Sequence, residues 1–170
     1  MRVAVLCTLL ASCGWLRVYA APCTGAETQL ARVSNELTLN SLEAAEKSLR
    51  GLSLAHPDCP EIILQRARLA QAKGDVNQAA ELYYRYTDGD PDDSRGLAYF
   101  GRYFLEQRDY MRADALSVVA VQKNAADPVA LALRGQILIM KGQSQEAQEL
   151  LEKATQIDPD DPEAQFQLGE

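Results

Sequence analysis

The chain has 170 residues, 47% of them apolar and 24% charged, with a formal net charge of −7. Enough apolar residues are present to build a core, which excludes a disordered polar chain, and a net-acidic chain without a basic run is a poor match for a nucleic-acid backbone. Aromatic residues are only 6% while Ala and Leu abound, a composition that favours helices over a sheet-built fold.

The first element in chain order is a targeting segment. Met1-Arg2 gives a positive start, Val3 to Leu16 is an apolar run, and Val18-Tyr19-Ala20 carries the small or apolar residues that a signal peptidase reads. This is the layout of a secretory signal over residues 1–20, with cleavage after Ala20. The apolar run is shorter than the roughly 20 residues that a membrane-spanning helix needs. A second reading stands beside this one. Leu10-Ala11-Ser12-Cys13 resembles the lipobox of bacterial lipoproteins, in which Cys13 would carry a lipid and hold the domain on a membrane. Without that lipid no membrane contact is expected.

Residues 21–25 form a short N-terminal segment containing Cys23. Cleavage after Ala20 leaves two cysteines, Cys23 and Cys59, and an oxidising compartment lets such a pair form a disulfide. Closing that loop would contribute about 3–4 kcal/mol in the chain-entropy model. The alternative is two unpaired small residues. The one histidine, His56, lies three residues before Cys59. A zinc site needs about four ligands and nothing in the sequence completes one here, so His56 reads as a turn residue beside Pro57. No metal and no cofactor is expected.

From residue 26 onward the chain repeats with a period of 34. Pro57, Pro91 and Pro159 are in phase, with Ala125 at the missing step. Ala45, Ala79, Ala113 and Ala147 form a second series, Ala67, Gly101, Gly135 and Gly169 a third, and Gly74 and Gly142 a fourth. The pattern is clearest near the C-terminus, where it predicts helices over 128–141 and 144–157. Leu131, Ile137, Leu138 and Met140 are apolar positions of the first, and Gly142 ends it. Ala147, Leu150, Leu151 and Ala154 make an apolar stripe on the second. Asp158-Pro159-Asp160-Asp161-Pro162 then breaks the chain, with a new helix starting near Pro162. Gly135, Ala147 and Ala154 remove bulk where two antiparallel helices meet, which lets their axes approach to about 8 Å.

Small residues at the eighth, twentieth and twenty-seventh places and Pro at the thirty-second are the pattern of the tetratricopeptide repeat (TPR) family, which this chain resembles. The units are 26–59, 60–93, 94–127 and 128–161, with an incomplete fifth begun at 162–170. The first is degenerate: Val33 replaces the small residue and Leu52 the Ala, as suits a terminal, capping repeat. The resemblance implies an all-α fold, an α-solenoid of antiparallel helix pairs coiled into a right-handed superhelix. In the second unit Tyr86 stands where Ala is expected, and we expect it to fill volume left by Ala67 and Ala70. The aromatic residues Tyr83, Tyr84, Tyr86, Tyr99, Phe100, Tyr103, Phe104 and Tyr110 read as a mid-array core, with one or two tyrosines reaching the surface.

The resemblance also implies a function: non-catalytic binding of a peptide or protein partner in the concave groove lined by the first helix of each unit. The groove positions are Glu27, Leu30, Ser34 and Leu37; Glu61, Leu64, Arg68 and Gln71; Arg95, Ala98, Arg102 and Leu105; Val129, Ala132, Gln136 and Ile139. Of these Leu64, Arg68, Gln71, Arg95, Arg102, Leu105, Gln136 and Ile139 are the expected partner-binding set. The Lys/Asn clamp of chaperone-binding TPRs is absent. Arg68 and Arg102, one period apart, form with Arg95 a basic centre suited to a carboxylate or an acidic peptide. The competing reading is solvated arginines paired with local acids such as Glu61 and Glu106. No catalytic motif occurs: no G-x-S-x-G, H-E-x-x-H, C-x-x-C or phosphate-binding Gly loop. The acid runs Asp88 to Asp93 and Asp158 to Glu163 fall at unit junctions as turn and cap residues, without the spacing of a calcium loop. Two alternatives remain open: an N-terminal TPR module of a longer, enzymatic exported protein, since the fifth unit stops midway, or a lipid-anchored envelope assembly factor. By resemblance to exported TPR proteins the expected compartment is a bacterial periplasm or cell envelope, or otherwise the secreted fraction.

Overall fold

A computed structural model describes residues 23–57, 59–159 and 169. The targeting segment 1–20, with Cys13, and the start of the fifth unit at 162–168 lie outside the described residues. The described chain forms α1 (Glu27–Thr38), α2 (Leu42–Ala55), α3 (Pro60–Ala72), α4 (Val76–Gly89), α5 (Ser94–Glu106), α6 (Tyr110–Lys123), α7 (Pro128–Met140) and α8 (Ser144–Ile157), and no strand among those residues. Each unit is one helix pair, packed most closely within itself and then against the first helix of the next unit. That neighbour-only packing is the solenoid the period implies.

One backbone conformation makes each hairpin. Asn40, Gly74, Arg108 and Gly142 have φ of 54°, 76°, 60° and 76°. These four positions are one period apart, so the Gly74/Gly142 series continues through two residues that are not glycine. A left-handed residue turns the chain after the first helix and brings the second back alongside it. Helix starts at the centre of the array are capped by carboxylates. Asp75, Asp93, Asp109 and Asp127 accept from the backbone N–H of Gln78, Gly96, Arg112 and Val129/Ala130. At Ala26, Ser41 and Gln143 no side chain caps the helix.

The small-residue series lies where helices touch. Ala45, Ala79, Ala113 and Ala147 are all 0% exposed. A methyl group on Gly135 would stand 2.7 Å from Leu151 Cγ, inside its own pair. The same addition at Gly101 would meet Leu133 Cδ2, on the next unit, at 2.6 Å. The expected intra-pair packing therefore describes Gly135, while Gly101 also admits its neighbour.

Tyr86 also draws room from a residue that the sequence reading does not name. Its ring lies on Gly96, where a Cβ would be 2.3 Å from Tyr86 Cε1, and its hydroxyl donates to Asp93 Oδ2 at 2.8 Å. The missing side chain of Gly96 makes the space, while Ala67 and Ala70 belong to the same buried cluster. That cluster runs from α3 to α7 and contains Tyr83, Phe100, Tyr103 and Phe104, whose rings contact one another. Tyr84 and Tyr110 are the tyrosines that emerge, at 54% and 49% exposed. The first unit has its own smaller core, in which Val33, Ala45, Leu49 and Leu52 meet Ile62 and Leu69 of α3. None of the described helices is long and apolar enough to cross a membrane.

Candidate functional site

The first helices α1, α3, α5 and α7 stand side by side, each touching the next. Their ninth positions, Ser34, Arg68, Arg102 and Gln136, run along one face. Arg68 Nη1 donates to Ser34 Oγ at 3.1 Å, one full period away, and to Gln65 Oε1 at 2.9 Å. The Arg68 guanidinium carbon also lies 4.3 Å from the centroid of the Tyr99 ring, and that of Arg102 lies 5.8 Å from it. Both cations are thus within reach of one aromatic ring, an attractive arrangement that orients them together.

This centre has more donors than acceptors. None of Arg68, Arg95 and Arg102 forms an ion pair among the described residues, whose ion pairs lie elsewhere. The pairing with Glu61 or Glu106 that the sequence allowed is not made. Arg102 Nε and Nη2, and Gln136 Oε1, are buried without any hydrogen-bond partner, a condition that costs the desolvation of each group. Gln71 Oε1 is occupied by the Tyr83 hydroxyl at 2.6 Å, which leaves the amide NH2 of Gln71 as one more donor. Burial pushes the Tyr83 phenol well above its ordinary pKa against the opposing pull of Arg68, so it stays a neutral donor.

Fewer of the expected groove positions reach solvent than the sequence series suggested. Leu64, Ala98 and Ala132 are each 0% exposed. They face the adjoining helices instead of solvent, Leu64 and Ala98 inside the central cluster and Ala132 against α8. Leu64 is therefore removed from the partner-binding set. Arg68, Gln71, Arg102, Leu105 and Gln136 are half-buried, and Arg95 and Ile139 exposed. Tyr99 belongs with them, although the sequence placed it in the core. Its spacing of three from Arg102 on one helix was the signal that could have found it.

At the other end of the described chain, Cys23 and Cys59 come together, with Cα atoms 5.2 Å apart and the sulfurs joined, a separation that suits a disulfide. The Glu61 carboxylate adjoins the pair, with Oε2 2.8 Å from Cys23 Sγ. His56 contributes its backbone carbonyl to the Cys59 N–H at 3.2 Å.

The architecture defines a class of protein: a helical-hairpin solenoid whose first helices stand side by side. Family models described as tetratricopeptide repeat match residues 30–94 and 104–168, and the chain belongs to that family. No curated protein matches it. Among solved structures it is similar to TTC0263, a thermophilic TPR protein of Thermus thermophilus, at 20% identity and a TM-score of 0.67, covering 84% of this chain and 78% of that one. It is similar to pilF of Pseudomonas aeruginosa at 19% identity and a TM-score of 0.63, covering 84% of this chain and 65% of that one, so the chain spans about two thirds of that protein's length. The first TPR of Spaghetti (RPAP3), solved with the HSP90 peptide SRMEEVD, gives 18% identity and a TM-score of 0.55, covering 65% of this chain and 87% of that one. Likeness at these identities shows the fold.

Proposed function

We propose that this chain is an exported, non-catalytic scaffold whose groove binds an acidic peptide segment of a partner protein at Arg68, Tyr99 and Arg102. The observation that carries this reading is the donor surplus: two guanidinium groups beside one aromatic ring, no carboxylate paired to either, and two Arg102 nitrogens without partners. A ligand carboxylate received between them, with Arg102 turned toward it, exchanges unmet donors for charge-assisted bonds, about twice as strong as neutral ones. The side-by-side first helices suit an extended segment, and a TPR of similar fold is solved with a peptide that contains two adjacent glutamates. Export is supported by the signal-like layout of residues 1–20, and an oxidising compartment by the approach of Cys23 to Cys59. A bacterial periplasm or envelope is the compartment this reading favours.

Changing Arg68 and Arg102 together to Glu tests it. A pulldown from envelope extract should lose the partner that the unaltered chain retains, with helical content unchanged by circular dichroism. The same set of bound proteins in both samples would overturn the groove assignment. The mass of the mature N-terminus separates cleavage after Ala20 from lipidation at Cys13.

A further inference from the structure

The binding centre of Arg68, Tyr99 and Arg102 makes no use of the cluster formed by Cys23, Cys59 and Glu61, although Glu61 shares the groove register in the sequence. Cys23 precedes α1, Cys59 is the N-cap of α3 and Glu61 sits in the first turn of that helix. Glu61 Oε2 lies 2.8 Å from Cys23 Sγ and 3.9 Å from Cys59 Sγ, and the three ligand-capable atoms all fall within 4.8 Å of one another. A disulfide sulfur has no proton to donate, so in the oxidised pair this carboxylate oxygen faces sulfur lone pairs. Glu61 forms no ion pair among the described residues, and the Arg95 charge acts on it only across a longer distance. Opening the disulfide places two thiols, each a potential thiolate, against the same carboxylate. Three anion-forming groups in one spot are a poor arrangement for an empty site and a good one for a cation.

We propose that when the Cys23–Cys59 pair is reduced, Cys23, Cys59 and Glu61 bind one thiophilic divalent metal ion such as Zn2+. Disulfide and metal are then alternative closures of the same ring around the first unit. A phosphine or dithiol supplies two electrons to the S–S bond, which breaks, and each sulfur takes up a proton. The reductant leaves as the phosphine oxide, its oxygen coming from water, or as a disulfide. The metal ion then displaces both thiol protons to solvent, and Glu61 supplies a third ligand with solvent as the fourth. Thiolates about 2.3 Å from a tetrahedral zinc stand roughly 3.7 Å apart, a spread that small side-chain rotations provide at the observed Cα separation of 5.2 Å. Two sulfurs and one carboxylate select a soft ion over Ca2+ or Mg2+, which want oxygen ligands only. His56, the sequence-adjacent candidate, is not a member of the cluster. The inference is independent of the groove reading.

The test uses the full mature chain, reduced with a phosphine, freed of excess reductant anaerobically and titrated with Co2+ as a spectroscopic probe. One Co2+ per chain should bind, with thiolate-to-cobalt charge-transfer absorption, and Zn2+ should displace it. Reoxidised chain should show neither. Affinity should fall as pH is lowered, because protons compete for the thiolates. Glu61→Gln keeps both cysteines and should weaken Co2+ binding by at least about tenfold. No cobalt band in the reduced chain overturns the proposal, as does equal affinity in Glu61→Gln. To guard against mere thiol binding by an unfolded first unit, the reduced chain is also titrated in guanidinium chloride. Affinity no tighter in buffer than in denaturant likewise overturns it.

Discussion

The first and third units follow one 34-residue plan and are held closed by different means. In the third, α5 and α6 pack closely, Gly101 leaves room for Leu133, and Asp93 and Asp109 cap both helix starts. Its core is shared with the second unit through Phe100 and Tyr103, whose rings meet Tyr83, and with the fourth through Leu133 against Gly101. In the first, Val33 takes the place of the small residue, α1 and α2 pack more sparsely, and neither Ala26 nor Ser41 caps its helix. What closes that unit is the meeting of Cys23, just before α1, with Cys59, just before α3. A central repeat is stabilised from both sides, whereas a terminal one has a single neighbour. A covalent tie from the segment before α1 to the start of α3 binds the first unit to that one neighbour and restrains the unfolded chain.

The largest expected effect probes the central mode of closure. Tyr86→Ala removes a buried ring and the hydroxyl that holds Asp93, and should cost about 3–5 kcal/mol in denaturant unfolding. A loss near zero would mean that the packing over Gly96 is not what joins the second and third units.

Next in size is the covalent mode. Cys23→Ser should cost about 3–4 kcal/mol, and hydrogen exchange should locate the loss in α1 and α2, leaving α5 to α8 protected. Uniform loss of protection along the chain would erase the distinction between the two units.

A smaller effect comes from the hairpin turns. Arg108 holds a φ of 60°, where its period-mates Gly74 and Gly142 hold 76°. Arg108→Gly should therefore stabilise the fold by up to about 1 kcal/mol, the relieved strain less the entropy cost of glycine, read as a raised thermal midpoint. The matching Asn40→Gly change in the first unit should do less, since Asn tolerates this conformation.

The smallest concerns the seam between the third and fourth units. Asp114 accepts from Lys141 at 2.6 Å and Arg134 at 2.7 Å. Its pKa is lowered below the ordinary 3.8, chiefly by the Lys141 hydrogen bond and also by Arg134, against the opposing effect of burial. A depressed folded-state pKa gives stability that is full above the unfolded value and is lost as pH falls through the folded one. Acid unfolding below pH 3.8 should accordingly contain a contribution that Asp114→Asn removes. Identical acid transitions for both chains would show that the ion pairs contribute nothing at this seam.

Much of the fold was legible because steric rules leave marks at a fixed interval. Where helices meet, Ala and Gly recur, and four series in one phase specified the hairpins. The turn series was legible only where it was glycine. Asn40 and Arg108 carry the same conformation; Asn tolerates it, while at Arg108 closure of the hairpin imposes it on a side chain that does not signal it. The site was legible in part. Periodicity put Arg68 and Arg102 at equivalent places, and their unpaired state emerged only when Glu61 and Glu106 proved not to pair with them. Leu64, Ala98 and Ala132 share a groove-facing register in the sequence and are covered in the fold, because the adjoining helices close over them.

By itself, then, the sequence determined the repeat, its helical-hairpin unit and the departure of the first unit from the pattern, since each depends on residues near in sequence or one period apart. Tertiary structure decided which groove positions reach solvent, that Tyr99 stands beside two guanidiniums, that Tyr86 rests on Gly96, and that Glu61 adjoins the cysteine pair. Those outcomes depend on how closely one unit approaches the next, a distance determined by the summed packing of many side chains and carried by no single residue.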